Sequence, residues 1–173
     1  MNTMREQYLH TTIDSPIGEL LLVGDEERLR GLYMQDGRTR MAVRSSWLEA
    51  DEPFADAREQ LGQYFAGERT GFDLPLATQG TDFERSVWAE LERIPYGQTT
   101  SYGEIARRIG RPERARAVGA ANGRNPISVI VPCHRVIGAN GSLTGYGGGL
   151  ERKRFLLELE GGALALGPAT GGV

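Results

Sequence analysis

Cysteine is almost missing from this chain. Of 173 residues only Cys133 carries a thiol, which excludes an intramolecular disulfide and any multi-cysteine zinc site. No apolar run approaches the roughly 18 residues of a membrane span. The opening stretch, Met1 to His10, is polar and lacks the apolar core of a signal peptide. These absences predict a cytoplasmic protein, nucleoid-associated if it binds DNA. No internal repeat is present. The glycines at 145–149 lack the strand before and the helix after that a dinucleotide site needs. Lysine is represented by Lys153 alone, which reads as coding bias rather than chemistry.

What is present is arginine, unevenly spread. The net charge of −3 does not advertise nucleic-acid binding, but its distribution is informative. Residues 1–80 hold 8 Arg against 14 Asp and Glu, whereas residues 81–173 hold 12 Arg and Lys against 9 acidic residues. Within 101–135, seven arginines (107, 108, 111, 114, 116, 124 and 135) face only Glu104 and Glu113. A basic patch on an otherwise acidic chain is a focused electrostatic footprint. A solvated helix face accounts for the same count equally well.

The pattern predicts an α+β fold of two lobes: 1–76, a linker at 77–80, a second lobe over 81–160, and a flexible Gly/Ala-rich tail at 161–173. In the first lobe, 11–24 reads as strand around the turn-prone Ser15-Pro16-Ile17-Gly18. Leu29 to Met34 reads as an antiparallel partner across the loop Asp25-Glu26-Glu27. A helix over 54–66 presents Phe54, Leu61 and Phe65 and ends at Gly67. Phe72 to Leu76 suits a short strand. The second lobe is mainly helical. Thr81 and Glu84 fit a capping box ahead of Phe83, Val87, Leu91 and Ile94, and Ser101 and Glu104 fit a second one. The short helix to Gly110 and another starting near Pro112 make a helix-turn-helix. Ile127 to Val131 reads as a buried strand, Asn140-Gly141 as a turn, and Leu150 to Glu160 as a last amphipathic helix.

A lone cysteine is commonly an inert core residue. Cys133, however, follows Pro132 and adjoins His134 and Arg135, and a nearby base or cation favours thiolate, the nucleophilic form. Thiolate suits attack on saturated carbon and on acyl carbon alike, so this chemistry alone does not choose the substrate. His134 needs a third group to orient it. Glu160 could serve, although by pattern it is an ordinary helix-end carboxylate. His10 has no such neighbours. Arg116 is a single long cation among Ala115, Ala117, Gly119, Ala120 and Ala121, a pattern that also suits plain helix packing. Tyr102 could be simple core.

Together these segments resemble the O6-alkylguanine-DNA alkyltransferase family, over roughly residues 11–160. The most specific piece is Ile130-Val131-Pro132-Cys133-His134-Arg135-Val136-Ile137. Ile94-Pro95-Tyr96-Gly97, Ser101-Tyr102-Gly103, Ala115-Arg116-Ala117-Val118-Gly119, Asn125-Pro126 and Leu156-Leu157-Glu158-Leu159-Glu160 support it. Thr12-Ile13-Asp14-Ser15-Pro16-Ile17-Gly18 resembles the bacterial single-protein branch.

The resemblance implies a single-turnover methylated-DNA–protein-cysteine methyltransferase. It would move a methyl or other alkyl group from O6 of guanine, and from O4 of thymine, to Cys133. It implies that His134 takes the thiol proton through a water, that Glu160 orients His134, and that Asn125 pins the adjoining turn. Tyr102 would contact the flipped guanine and its phosphate, and Arg116 would replace the extruded nucleotide. Ser101, Ala115, Ala117, Gly119 and Arg135 would join the DNA-facing set. The carbonyls of Cys133 and Val136 would read the guanine amino group, beside Tyr146 and Gly147. Ser128, Thr144 and Gly148 would border the alkyl pocket. The partner would be double-stranded DNA carrying O6-alkylguanine, entered from the minor groove, by a monomer that could cluster on DNA. No membrane, metal or cofactor is expected. The rival readings are a lesion-binding module that does not react and a Cys-His acyl hydrolase, for which adjacent Cys133-His134 is the wrong spacing.

Overall fold

The computed structural model describes residues 6–36 and 40–161. The tail expected at 161–173 therefore lies outside the described residues from 162 onward. A four-stranded sheet of order β3-β2-β1-β4 forms the N-terminal lobe. It comprises β1 (Leu9–Ile13), β2 (Leu20–Gly24), β3 (Leu29–Met34) and β4 (Leu48–Glu49). The segment 11–24 is thus two antiparallel strands, Ile13 facing Leu20, with Gly18 turning the chain at φ 98°. β4 pairs with β1 in parallel, a strand with no signal in its two residues.

β2 is buried along its whole length, as suits Leu-Leu-Leu-Val-Gly in the middle of a sheet. The outer side of β3 is not left bare. Leu76 and Ile127 bridge to Leu29 and Leu32, and Leu32 exchanges backbone hydrogen bonds with Pro126 (2.8 Å) and Ser128 (3.3 Å). These bonds cap a sheet edge that would otherwise template aggregation, and they tie the two lobes together. Phe72 to Leu76 is accordingly extended with one bridge at Leu76, not a regular strand.

Helix α1 (Ala55–Phe65) buries Ala57, Leu61 and Tyr64, spaced for one face, while Phe65 stays half-buried. α2 (Asp82–Glu92) starts with the full Thr81–Glu84 capping box and buries Val87, Trp88 and Leu91. Two-residue strands β5 (Thr100–Ser101) and β6 (Val136–Ile137) pair in parallel. α3 (Tyr102–Arg108) and α4 (Ala115–Gly123) form the helix-turn-helix around Gly110, φ 76°. The second capping box is only half made. Ser101 caps the Glu104 amide, but the Glu104 carboxylate turns outward to Arg107 and Arg108. α5 (Leu150–Leu159) closes the described chain. One continuous hydrophobic cluster runs from Leu9 to Leu156, across both lobes.

Candidate active site

The run Ile127 to Val131 is buried but is not a strand. It coils into a tight turn, with the Val131 amide donating to the Ile127 carbonyl at 3.0 Å and Val129 at φ 72°. A left-handed β-branched residue costs roughly 1–3 kcal/mol and persists only where its surroundings dictate it. Asn125 is the main constraint. Its side-chain amide donates to the Val131 carbonyl (2.8 Å) and its oxygen accepts from the Ile127 amide (3.0 Å). The turn leads into a 3-10 turn, Cys133–Arg135, which puts three chemically active side chains into the protein interior in succession.

Glu160, one residue past α5, collects them. His134 Nε2 lies 2.8 Å from Glu160 Oε2. Arg135 donates through Nε to Oε1 (2.8 Å) and through Nη2 to Oε2 (3.0 Å), and Tyr64 donates its hydroxyl to Oε2 at 2.6 Å. Burial alone would raise the Glu160 carboxyl, but His134 and Arg135, with Tyr64, bring it down to about 2. An ionised carboxylate only accepts, so Nε2 of His134 carries the proton. Burial also lowers the His134 pKa against the pull of Glu160, keeping the ring neutral. Its basic lone pair is therefore on Nδ1, which has no partner among the described residues.

The Cys133 thiol is buried. That burial raises its pKa, opposed by Asn125, by the Lys153 charge and by Tyr146. The resting site thus holds a thiol, not a thiolate. Lys153 is fully buried at the end of a hydrogen bond to the Thr144 carbonyl (2.8 Å). Burial lowers its amine from 10.5 to about 8, and only a Cys133 thiolate would pull it back up. The only lysine of the chain is therefore part of the site, not compositional noise. A pocket of about 330 Å³ opens on Cys133, walled by Tyr33, Met41, Asn122, Ser128, Tyr146 and Gly148 among others. Asn122 donates to the Cys133 carbonyl at 3.3 Å, and its own oxygen has no partner among the described residues. Gly147, in the loop before α5, lines this pocket, whereas Val136 is buried in β6 and is not part of its wall. Thr144 does not line the pocket; its hydroxyl donates to Tyr102 Oη at 3.1 Å.

The helix-turn-helix carries the expected basic segment, but most of its charge is internally answered. Arg107 and Arg108 pair with Glu104, Arg124 lies 3.7 Å from Glu84, and Arg114 stacks on Phe83. Arg135, expected at the DNA surface, is instead buried. Besides Glu160 it bonds the Ile94 carbonyl at 2.7 Å, so its charge belongs to the site's interior. Among the described residues only Arg111 and Arg116 of these seven have no side-chain partner, and Arg116 projects exposed from the first turn of α4. Ala115, Ala117 and Gly119 are half-exposed around it. Gly119 also receives the Tyr102 ring from α3, so part of the small-residue pattern is helix packing. Ser101 sits below as the α3 cap.

Tyr64, Asn122, Tyr33 and Met41 are not singled out by the sequence, and Lys153 reads there as coding bias. Only Lys153 carried a signal, its uniqueness inside an amphipathic helix. Among the described residues no three His, Cys, Asp or Glu side chains cluster as a metal site would require.

Comparison with known proteins accounts for both lobes. The 6-O-methylguanine DNA methyltransferase DNA-binding domain profile matches residues 82–162, and that family's ribonuclease-like domain matches 8–78. A methylated-DNA–protein-cysteine methyltransferase of Methanosarcina acetivorans is 56% identical over 152 residues, covering 88% of this chain and 97% of that protein. One from Mycolicibacterium paratuberculosis is 58% identical over 151 residues, covering 87% and 91%. The crystal structure of Mycobacterium tuberculosis OGT in complex with DNA superposes with a TM-score of 0.82 at 56% identity, covering 90% of this chain and 92% of that one.

Proposed function

The chain belongs to the 6-O-methylguanine DNA methyltransferase family, and on that premise we propose how its own residues repair alkylated guanine by direct reversal. Cys133 is the acceptor. The observation that carries this reading is the buried Cys133–His134–Glu160 arrangement opening on a pocket, with Nδ1 of His134 left as the free base.

His134 Nδ1 takes the thiol proton through one water, and Glu160 stabilises the imidazolium that forms. The sulfur attacks the alkyl carbon. The S–C bond forms as the C–O6 bond breaks, and the electron pair passes into the guanine ring. The proton lost by the thiol balances the one gained at N1 of the restored base. Lys153 supplies the positive charge that offsets burial as the thiolate develops. The product is a thioether that no neighbouring group can hydrolyse, so each chain acts once.

The lesion reaches the pocket by leaving the duplex. Extrusion costs a few kcal/mol, less for an already weakened pair. Arg116, exposed and without a partner among the described residues, fills the space left behind. Tyr102 and Ser101 line the approach, Ala115, Ala117 and Gly119 let α4 come close to a narrow groove, and Tyr146 and Gly147 border the base. The Cys133 and Val136 carbonyls read its amino group. The lobe boundary at 77–80 belongs to this reading, supported by profile matches that stop at 78 and resume at 82. So does a cytoplasmic location, which a DNA substrate favours. Among the described residues no helix is long and apolar enough to cross a membrane.

Titrating the protein with duplex containing O6-methylguanine, and scoring restored guanine, tests the proposal. Repair should plateau at one lesion per chain and vanish in Cys133→Ser. Continued repair beyond one equivalent would contradict it, and binding without repair would leave a lesion-binding module.

A further inference from the structure

Glu160 is bonded by more donors than orienting one histidine requires. A carboxylate offers about four lone-pair sites, and four hydrogen bonds reach this one, three of them crowded onto Oε2. Oε1 takes one donor from Arg135, while Oε2 is shared among His134, Arg135 and Tyr64. His134 and Arg135 adjoin Cys133 in sequence. Tyr64 comes from α1 of the other lobe, which otherwise supplies only pocket walls, Tyr33 and Met41. Its ring is fully buried against Phe65, Phe72 and Tyr96. Packing needs only that ring, and phenylalanine would supply it without burying a hydroxyl. The hydroxyl is instead aimed at the one carboxylate that touches the base.

We propose that Tyr64 is a positioning residue for alkyl transfer, whose hydroxyl holds Glu160 Oε2 against His134 and shares its negative charge, so that the N-terminal lobe governs how readily His134 draws the thiol proton. The inference rests on His134 and Glu160 being the proton-accepting pair. Donors on one oxygen compete, and each withdraws charge from the others. Besides Tyr64, the titratable and charged groups around the pair are Arg135, Lys153 and Tyr96, with Cys133 acting on Lys153 and Tyr64 in turn acting on Tyr146. None of them replaces the Tyr64 hydroxyl at Oε2. Without it, more of the carboxylate charge falls on His134, which then holds a proton at higher pH. Only neutral His134 can accept the thiol proton, so the acid limb of the rate profile moves to higher pH. The loosened carboxylate also lowers the plateau.

The test compares single-turnover rates across the acid limb for wild type, Tyr64→Phe and Glu160→Gln, with duplex affinity and a nitrogen-15 NMR titration of His134, one of two histidines. Tyr64→Phe should bind duplex normally and react about tenfold more slowly, the scale of one hydrogen bond to a charged acceptor. Its acid limb and its His134 titration should both move to higher pH. A wild-type rate and limb in Tyr64→Phe, with Glu160→Gln slowed, would overturn the inference and leave the base pair standing. A wild-type rate in Glu160→Gln would overturn the pair and the inference with it. The titration reads the coupling in DNA-free protein, and an unmoved His134 in Tyr64→Phe also overturns it.

Discussion

Lys153→Met should stabilise the protein at neutral pH and slow it at the same time. Burial holds the Lys153 amine at about 8, against 10.5 in an unfolded chain. At about 1.4 kcal/mol per pH unit, that gap is a penalty of roughly 3 kcal/mol on the folded state with its ammonium charged. Because the folded pKa is depressed and the group is a base, the unfolded chain binds more protons between about 8 and 10.5. Wild-type stability from this group therefore rises with pH across that window, and below pH 8 the penalty stands in full.

Methionine matches the stem without the charge. It also strips the Thr144 carbonyl of its donor, at a cost of about 1–3 kcal/mol. The net gain at pH 7 is thus between zero and about 2 kcal/mol. The sharper quantity is its pH dependence. The stability difference between variant and wild type should move in favour of wild type by about 3 kcal/mol as pH rises through the window. Urea denaturation at the two ends measures it. Because Lys153 is the only lysine, isotope-labelled lysine yields one side-chain signal whose titration reads the amine directly. A stability difference that is flat with pH, or an amine titrating like a free lysine, would show that burial does not hold the Lys153 amine down. Alkyl transfer should slow because the Cys133 thiol loses the cation that opposes its burial.

Arg116→Ala should slow repair of a fully paired lesion more than repair of the same lesion opposite an abasic site, because less pairing and stacking then has to be overcome; equal fractional slowing in single-turnover assays would remove Arg116 from base extrusion. Asn125→Ala takes away the hydrogen bonds that hold the strained Val129 turn. It should cost about 2–3 kcal/mol at about 1 kcal/mol or more per buried bond, and a melting temperature equal to wild type would show that the turn holds itself.

Much of the architecture was legible because local rules and global packing agree. The Thr81–Glu84 box, the Gly67 and Gly110 stops and the Leu29–Met34 strand appear where propensity and periodicity put them. The failures share a cause. Ile127 to Val131 has a strand's composition, yet Asn125 offers the backbone a better set of hydrogen bonds and bends it into a turn. Glu104 looked like a capping partner until two arginines one turn on competed for it. Arg135 looked like a DNA contact because its charge, not its partner, was visible; Glu160 lies 25 residues away. Tyr64 is 96 residues from Glu160 and sits in an unremarkable amphipathic helix. Pairings of that range leave no local trace, so the nucleophile was readable and much of its support was not.

The most direct measurement is intact mass, followed by peptide mapping, after mixing the protein with excess duplex carrying O6-methylguanine. Each chain should gain one methyl group, placed on Cys133, and then stop. An unchanged mass, or a methyl group on any other residue, would contradict the account.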